Sequence, residues 1–289
     1  MSMHVALTDL SAEEIAGAFE LQAYQGRQIF AWIHQRRVFD FDAMTDLSKD
    51  LRSRLRDACL VPQIRVLDME ASPRTGTRKA LFQLSDGETI ESVFLRDDDR
   101  VTLCVSSQVG CACRCAFCAT GDSGFRRHCT PGEIVEQVLH LLVQEDLGGR
   151  MPNIVYMGMG EPFRNYDAVV KSIRLLMAKE GLGVGARRIT VSTAGDVPGI
   201  ERFGDENWQV RLAISLHAAN DALRSKLVPL NRRFPLAALM DAARRYVSAS
   251  DRQLSFEWVL LQGVNDSEKD AEELAALISG VKSVVNLIP

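Results

Sequence analysis

The sequence contains no run of about 18 apolar residues, so no segment reads as a membrane-spanning helix. Its opening stretch, MSMHVALTDLSAEE, lacks a basic segment followed by an apolar one and does not read as a signal peptide. The expectation is a cytoplasmic protein with no membrane partner. No internal repeat or low-complexity tract is visible, which argues against a repeat array or a disordered chain. Positive charge is not in excess: 34 Lys and Arg face 38 Asp and Glu, a net charge of −4. That balance argues against a protein that coats nucleic acid non-specifically, although local basic patches leave RNA binding open. Cysteine is scarce outside one segment. Of the seven, an odd number, only Cys59 lies outside residues 104–129. A disulfide framework would spread its pairs along the chain, so this clustering points to metal binding or redox work in a reducing compartment.

What is present is ordinary globular composition, 46% hydrophobic and 25% charged over 289 residues. That suffices for one barrel-sized domain, or for a barrel with a small appendage. Residues 1 to about 70 read as helical. Ser11 and Glu14 form a capping box, Ile29, Trp32 and Ile33 recur at helical spacing, and Leu51, Leu55 and Cys59 share one helical face. Arg27, Arg36, Arg37, Arg52, Arg54 and Arg56 crowd these helices, either as a solvated face or as an RNA-contacting one. Residues 72–106 read as short strands, KALFQL, TIESVFL and VTLCVSS, with a turn at Asp97-Asp98-Asp99. From residue 131 onward amphipathic helices alternate with apolar β-rich runs, the pattern of a parallel sheet covered by helices. Five or six such units are too few to close an eight-stranded barrel, which leaves a partial barrel or an open doubly wound sheet.

The segment GCACRCAFCATG holds Cys111, Cys113, Cys115 and Cys118. Three of them make the spacing C-x3-C-x2-C. Three thiolates hold three irons of a cubane and leave the fourth iron open to a small molecule. The rival is structural zinc, with Cys113 or Cys129 as fourth ligand, but the two separated knuckles usual for zinc are missing. Cys113 reads as a bystander, and Phe117 would cover the cluster from water. Polar and small residues stand at successive strand ends: Gly158 to Glu161, Ser192 to Gly195, Ser215 to His217, and Asn286 in the last strand. Ligands of parallel α/β folds bind at the carboxyl ends of strands. Four such positions downstream of the cysteine cluster therefore mark a site, although each alone could simply turn the chain.

Together with the cysteine motif, LCVSSQVGC, MGMGEP, STAG, AISLHAAND and VNLIP resemble the bacterial dual-specificity 23S rRNA and tRNA adenine-C2 methyltransferases of the radical S-adenosylmethionine enzymes. The antibiotic-resistance C8 methyltransferases are similar. The resemblance covers nearly the whole chain. It implies an α/β fold, a partial (βα)6 TIM-like radical S-adenosylmethionine barrel with a small N-terminal helical domain and a short β extension. The expected division is an RNA-contacting domain over 1–71, the extension over 72–103 and the barrel over 104–289. It implies that Cys111, Cys115 and Cys118 ligate a [4Fe–4S] cluster. It assigns Gly160, Glu161, Ser192, Ser215, Leu216, His217 and Asn286 to S-adenosylmethionine. Glu91 and Cys104 compete for the role of proton acceptor, and Cys104 also matches the thiol that resolves a protein–RNA link. The implied partners are 23S rRNA, tRNA and an external one-electron donor such as flavodoxin, with a monomer expected. Other readings are adenine-C8 methylation and a non-catalytic zinc or RNA-binding protein.

C2 of adenine is an electron-poor, non-nucleophilic carbon, so ordinary methyl transfer fails there and a radical route avoids the problem. In the family, a cysteine downstream of N-L-I-P carries the methyl group. None of the seven cysteines here matches it, and the sequence is read as part of a longer protein. Residues 1–289 are therefore expected to bind the cluster and S-adenosylmethionine without methylating RNA. Incubation with S-adenosylmethionine, reductant and rRNA checks this: nucleoside analysis should find no 2-methyladenosine, and its appearance overturns the expectation.

Overall fold

The computed structural model describes residues 4–97, 100–143, 145, 147, 150–250 and 252–289. β1 (Val5–Ala6), α1 (Ala12–Ala18), α2 (Ala23–Phe30), a π-helical turn over Ala31–Gln35, α3 (Lys49–Ala58) and β2 (Cys59–Leu60) come first. Next are β3 (Ile64–Ala71), β4 (Arg78–Leu84), β5 (Thr89–Asp97) and β6 (Arg100–Cys104). β7 (Gln108–Gly110), α4 (Ala119–Asp122) and β8 (Phe125–His128) frame the cysteine loop, followed by α5 (Pro131–Leu142), β9 (Asn153–Tyr156) and α6 (Tyr166–Met177). The remainder is β10 (Ile189–Thr193), α7 (Val197–Asp205), β11 (Arg211–Ser215), α8 (Asp221–Leu227), α9 (Leu236–Ser250), β12 (Leu254–Val259), α10 (Glu268–Leu277) and β13 (Ser283–Ile288). The turn expected at the Asp97-Asp98-Asp99 run falls on Asp98 and Asp99, outside the described residues.

The contacts gather into two compact units. One comprises residues up to Ser106 with His128–Ile154 and Asp167–Gly185; the other comprises Ser107–Arg127, Val155–Tyr166 and Ala186–Pro289.

In the first unit β3, β4, β5 and β6 form an antiparallel meander. One face is apolar and buried, with Ala80, Phe82, Ile90, Phe94 and Leu103. The other is half exposed, as period-2 alternation requires. The helical reading of residues up to about 70 is corrected here: Ile64–Ala71 is a strand. Only Ile64 is buried in it, and it pairs with β4 around an irregularity between Val66 and Asp68. With both faces exposed it carries no alternating pattern to read. The capping box at Ser11 and Glu14 is present, and α5 has another at Thr130 and Glu133 with Pro131 at its first position.

α5 is buried on nearly every side, and three of its buried residues are polar: Glu133 of the capping box, Glu136 and Gln137. Gln137 accepts from Ser92 Oγ (2.6 Å) and Ser106 N (2.7 Å) and donates to Ser106 O (2.9 Å). Glu136 accepts from Thr8 Oγ1 (2.6 Å), Gln63 N (2.7 Å) and Ile64 N (3.0 Å). It thereby ties α5 to the amino-terminal segment and to the start of β3.

The second unit contains parallel strands in the order β10, β11, β12, β13. Register aligns Ser192 with Ala213, Ser215 with Glu257, and Glu257 with Asn286. Ser215, Glu257 and Asn286 thus form one row on one face, near the carboxyl ends. The opposite face is apolar, with Val191, Leu212, Ile214, Leu254, Phe256 and Trp258 buried.

Burial pushes the Glu136 carboxyl up to about 7 from an ordinary value of 4.5. The folded protein then holds this proton more tightly than the unfolded chain. The stabilisation is full below about pH 4.5 and is lost as pH rises through 7. The urea midpoint of the protein, compared with that of Glu136→Gln, should therefore fall more steeply between pH 5 and pH 8. Parallel pH profiles would place the titration elsewhere.

Candidate active site

The second unit encloses a cavity of about 240 Å³ at the carboxyl ends of its parallel strands. Cys111, Cys113, Cys115 and Cys118 line one side, and Gly160, Glu161, Ser192, Thr193, Ser215, His217 and Glu257 line the others. Phe117 also faces it.

The cysteine loop is pinned by its backbone. Cys111 N donates to Gly124 O (3.0 Å), Ala116 N to Leu227 O (2.9 Å) and Cys118 N to Cys115 O (3.1 Å). Gly110 has φ +71°, and a Cβ there would lie 1.7 Å from Gly124 O, so only glycine fits. Cys113, Cys115 and Phe117 pack against a floor of Ala194, Ala218, Leu227 and Val228.

The opposite wall rests on two buried charges. Glu161, 3% exposed, accepts from Phe163 N (3.1 Å), Thr193 Oγ1 (2.8 Å) and Ala194 N (2.7 Å). Burial nevertheless raises its carboxyl to about 7. Its own N–H donates to Gln108 Oε1 (2.8 Å), against which Gly160 packs so closely that a Cβ would lie 2.6 Å from Gln108 Cβ. Arg224, wholly buried in α8, donates from Nη2 to Ala194 O (2.8 Å) and Ser215 O (3.0 Å) and from Nε to Leu216 O (3.1 Å). Its Nη1 donates to Asn231 Oδ1 (2.8 Å). Burial lowers it to about 10, so it remains a cation at neutral pH.

His217 has φ +57°. Its Nδ1 accepts from Val259 N (3.0 Å), and its ring meets Phe117 edge-on at 4.5 Å. Burial, then the Arg224 charge, lowers it to about 4, so the ring is neutral at pH 7. Ser192 Oγ and Ser215 Oγ lie 3.4 Å apart. Leu216 and Asn286 do not line the cavity. Leu216 is fully buried, and its N–H donates to Glu257 O (3.0 Å). Asn286 Nδ2 donates to Glu257 Oε2 (2.6 Å), and Ser255 Oγ donates to Oε1 (2.6 Å).

Glu257 and Arg224 were missed by sequence reasoning. Glu257 carried a signal, as the one charged residue in the apolar run LSFEWVLL. Arg224 carried none, because an arginine in a short helix usually faces solvent.

Glu91 and Cys104 belong to the first unit and do not line this cavity. Cys104 pairs with Val93, so Cys104 and Glu91 share one face of the meander. Glu91 also pairs with Lys79 at 3.1 Å. The arginines of the amino-terminal helices are largely engaged by the protein itself: Arg37 binds Leu142 O, Arg52 binds Asp42 O and Arg54 binds Phe19 O. Arg36 and Arg56 pair with Asp46 and Asp42.

The donor set fits an iron–sulfur cluster. Three thiols at C-x3-C-x2-C spacing open onto one cavity. Among the described residues no three His, Cys, Asp or Glu side chains converge as ligands of a single metal ion.

The family model of the radical SAM superfamily matches residues 105–275, and that of the ribosomal RNA large subunit methyltransferase N-terminal domain matches 5–61. A Geobacter sulfurreducens protein named dual-specificity RNA methyltransferase RlmN is 47% identical over 268 residues, 93% of this chain and 73% of that protein. The chain belongs to the RlmN family of radical SAM enzymes. A relative from Heliobacterium modesticaldum is 48% identical over 98% of this chain and 76% of its own length. The crystal structure of a radical SAM methyltransferase from Sphaerobacter thermophilus superposes with a TM-score of 0.94 at 48% identity, covering 99% of this chain and 85% of that one. The partial-barrel α/β architecture expected from the sequence is thus the family fold.

Because Arg224 grips three carbonyls at the ends of β10 and β11, Arg224→Lys leaves buried acceptors unsatisfied. It should cost about 2–4 kcal/mol of stability by urea denaturation. A loss below about 0.5 kcal/mol would mean that the loops hold their shape without it.

Proposed function

We propose that this chain carries the radical-generating machinery of a radical S-adenosylmethionine methyltransferase acting on C2 of an adenine in 23S rRNA and tRNA. The observation that carries this reading is that three thiols at the family spacing share one cavity with Glu161, Ser192, Ser215 and His217. Cys111, Cys115 and Cys118 would hold a [4Fe–4S] cluster. When bound, the cluster and S-adenosylmethionine supply a 5′-deoxyadenosyl radical, which makes a non-nucleophilic carbon reachable.

The protein's residues do the positioning. Glu161 fixes the loop after β10 and leaves a lone pair on Oε2 for the ligand's amino group. Ser192 and Ser215 offer hydroxyls at adjacent strand ends. Neutral His217 and Phe117 form a wall that keeps water from the thiols. Asn286 enters through Glu257, which it orients. Glu91 and Cys104 are assigned to proton removal from C2 and to release of the protein–RNA link, a step that requires a thiolate. None of the chain's cysteines is assigned to carry the methyl group. The amino-terminal domain would meet RNA, and the target adenine must leave its stack to be reached. A flavodoxin-like one-electron donor, monomeric state and cytoplasmic location complete the reading. Among the described residues no helix is long and apolar enough to cross a membrane.

Anaerobic reconstitution tests the first half. Iron and sulfide should each approach about four per chain, and reductant with S-adenosylmethionine should release 5′-deoxyadenosine. Cys115→Ala should lose both. A colourless protein with one zinc would overturn the reading. Nucleoside mass spectrometry tests the second half: cells lacking the gene should lose 2-methyladenosine from 23S rRNA and tRNA. Unchanged RNA, or loss of 8-methyladenosine instead, would reject C2 specificity.

A further inference from the structure

The face of the parallel sheet that carries Ser192, Ser215 and Glu257 near its carboxyl ends carries arginine at its amino ends. There the second unit has another cavity, of about 440 Å³, lined by Arg187, Arg211, Arg252, Gln209, Gln253 and Thr190 among others. We propose that this mouth is a binding site for a phosphate group.

Three successive strand starts each supply one guanidinium. Arg187 lies in the 3-10 turn before β10, Arg211 is the first residue of β11, and Arg252 stands two residues before β12. Register places Thr190 beside Arg211. Gln253 falls in the same row, two residues before Ser255, which pairs with Ala213. Arg211 stands on this sheet face, and Arg187 and Arg252 line the same cavity from the segments before β10 and β12. Arg252 is held in place: Nη1 donates to Tyr246 Oη (3.4 Å) and Nη2 to Glu206 O (3.2 Å). Arg187 and Arg211 are exposed and have no carboxylate partner among the described residues. The one carboxylate among the described lining residues is Glu257, whose oxygens accept from Ser255 and Asn286. The positive charges of Arg187 and Arg211 at one opening repel one another, and an anion relieves that cost. Guanidinium forks match the geometry of phosphate oxygens, and the two glutamine amides add neutral donors. The volume admits a diphosphate or a backbone phosphate with its sugar. The described lining of the thiol-lined cavity includes no arginine or lysine.

Titration of the full chain with inorganic pyrophosphate tests this, by calorimetry at low and moderate salt. Saturable binding is expected that weakens as salt rises and is about tenfold or more weaker in the Arg187→Ala/Arg211→Ala double variant. S-adenosylmethionine binding and the thermal midpoint should be unchanged in that variant, since neither side chain makes a bond to the described residues. A single-stranded RNA oligonucleotide then identifies the source. Displacement of pyrophosphate assigns the mouth to an RNA backbone phosphate; no displacement assigns it to a small free phosphoanion. Absence of saturable binding, or equal affinity in the double variant, would overturn the site. Pyrophosphate probes the mouth without RNA or S-adenosylmethionine, so its failure would leave the methyltransferase reading untouched.

Discussion

The peptide groups of Ala194 lie between two buried charges of opposite sign. Glu161 takes the N–H at 2.7 Å, and Arg224 gives a hydrogen bond to the C=O at 2.8 Å. Neither charge forms a direct ion pair with the other; each is compensated through backbone dipoles. Such an arrangement is stable only when complete, because removing either partner strands the other in a low-dielectric interior. The same clamp sets the neighbouring shape. Gly195, at φ +107°, leaves no room for a side chain beside Arg224 Nη2, and Arg224 also binds the carbonyls of Ser215 and Leu216. The ends of β10 and β11 are thereby held at one geometry before any ligand arrives. Ala194 belongs to the apolar floor on which Cys113, Cys115 and Phe117 rest, so the clamp reaches the thiol loop by packing.

Within that frame the row Ser215, Glu257, Asn286 shows how a parallel sheet assembles a site from distant sequence. Each strand contributes one residue at the same height, and hydrogen-bond register keeps them in line. Glu257 is the middle member, taking Asn286 Nδ2 and Ser255 Oγ and holding Leu216 N by its carbonyl. Asn286 therefore contributes through Glu257, and Leu216 contributes its backbone while its side chain fills the core.

How much of this was legible follows from the kind of signal each residue carries. Cys111, Cys115 and Cys118 were readable because their spacing lies within one loop and needs no tertiary context. Ser192, Ser215 and His217 were readable because strand ends in alternating α/β sequence converge on one edge. β3 was not, since an edge strand exposed on both faces has neither alternation nor an apolar run. Arg224 was not, since nothing in DALRSKL distinguishes a wholly buried arginine from a solvated one. Its burial is decided by carbonyls contributed by residues 194, 215 and 216. The basic amino-terminal helices carry a signal of a different kind. Clustered arginines draw attention as a surface, yet most of them bind carbonyls and carboxylates of their own unit.

The charges around the thiol-lined cavity bear on what it can hold. Its described lining contains two carboxylates, Glu161 and Glu257, and the cysteines, with no lysine or arginine; the nearby cation, Arg224, stands behind the wall and spends its donors on carbonyls. Burial pushes the Cys115 thiol up to about 12, and the neighbouring Cys111 and Cys118, then Glu161, oppose its ionisation further. At Cys115 a thiolate is favoured only when positive charge arrives with a ligand, because metal binding and thiol deprotonation are one linked equilibrium, whereas hydrogen bonding from Cys113 already lowers the Cys111 thiol to about 7. Iron held by the thiols would supply that charge. A neutral or anionic ligand would meet an acidic, poorly solvated pocket and gain nothing from it. The carboxylates of the wall stand at the carboxyl ends of the strands, and the arginines proposed to bind phosphate stand at their amino ends, so that one sheet face places opposite charge at its two ends.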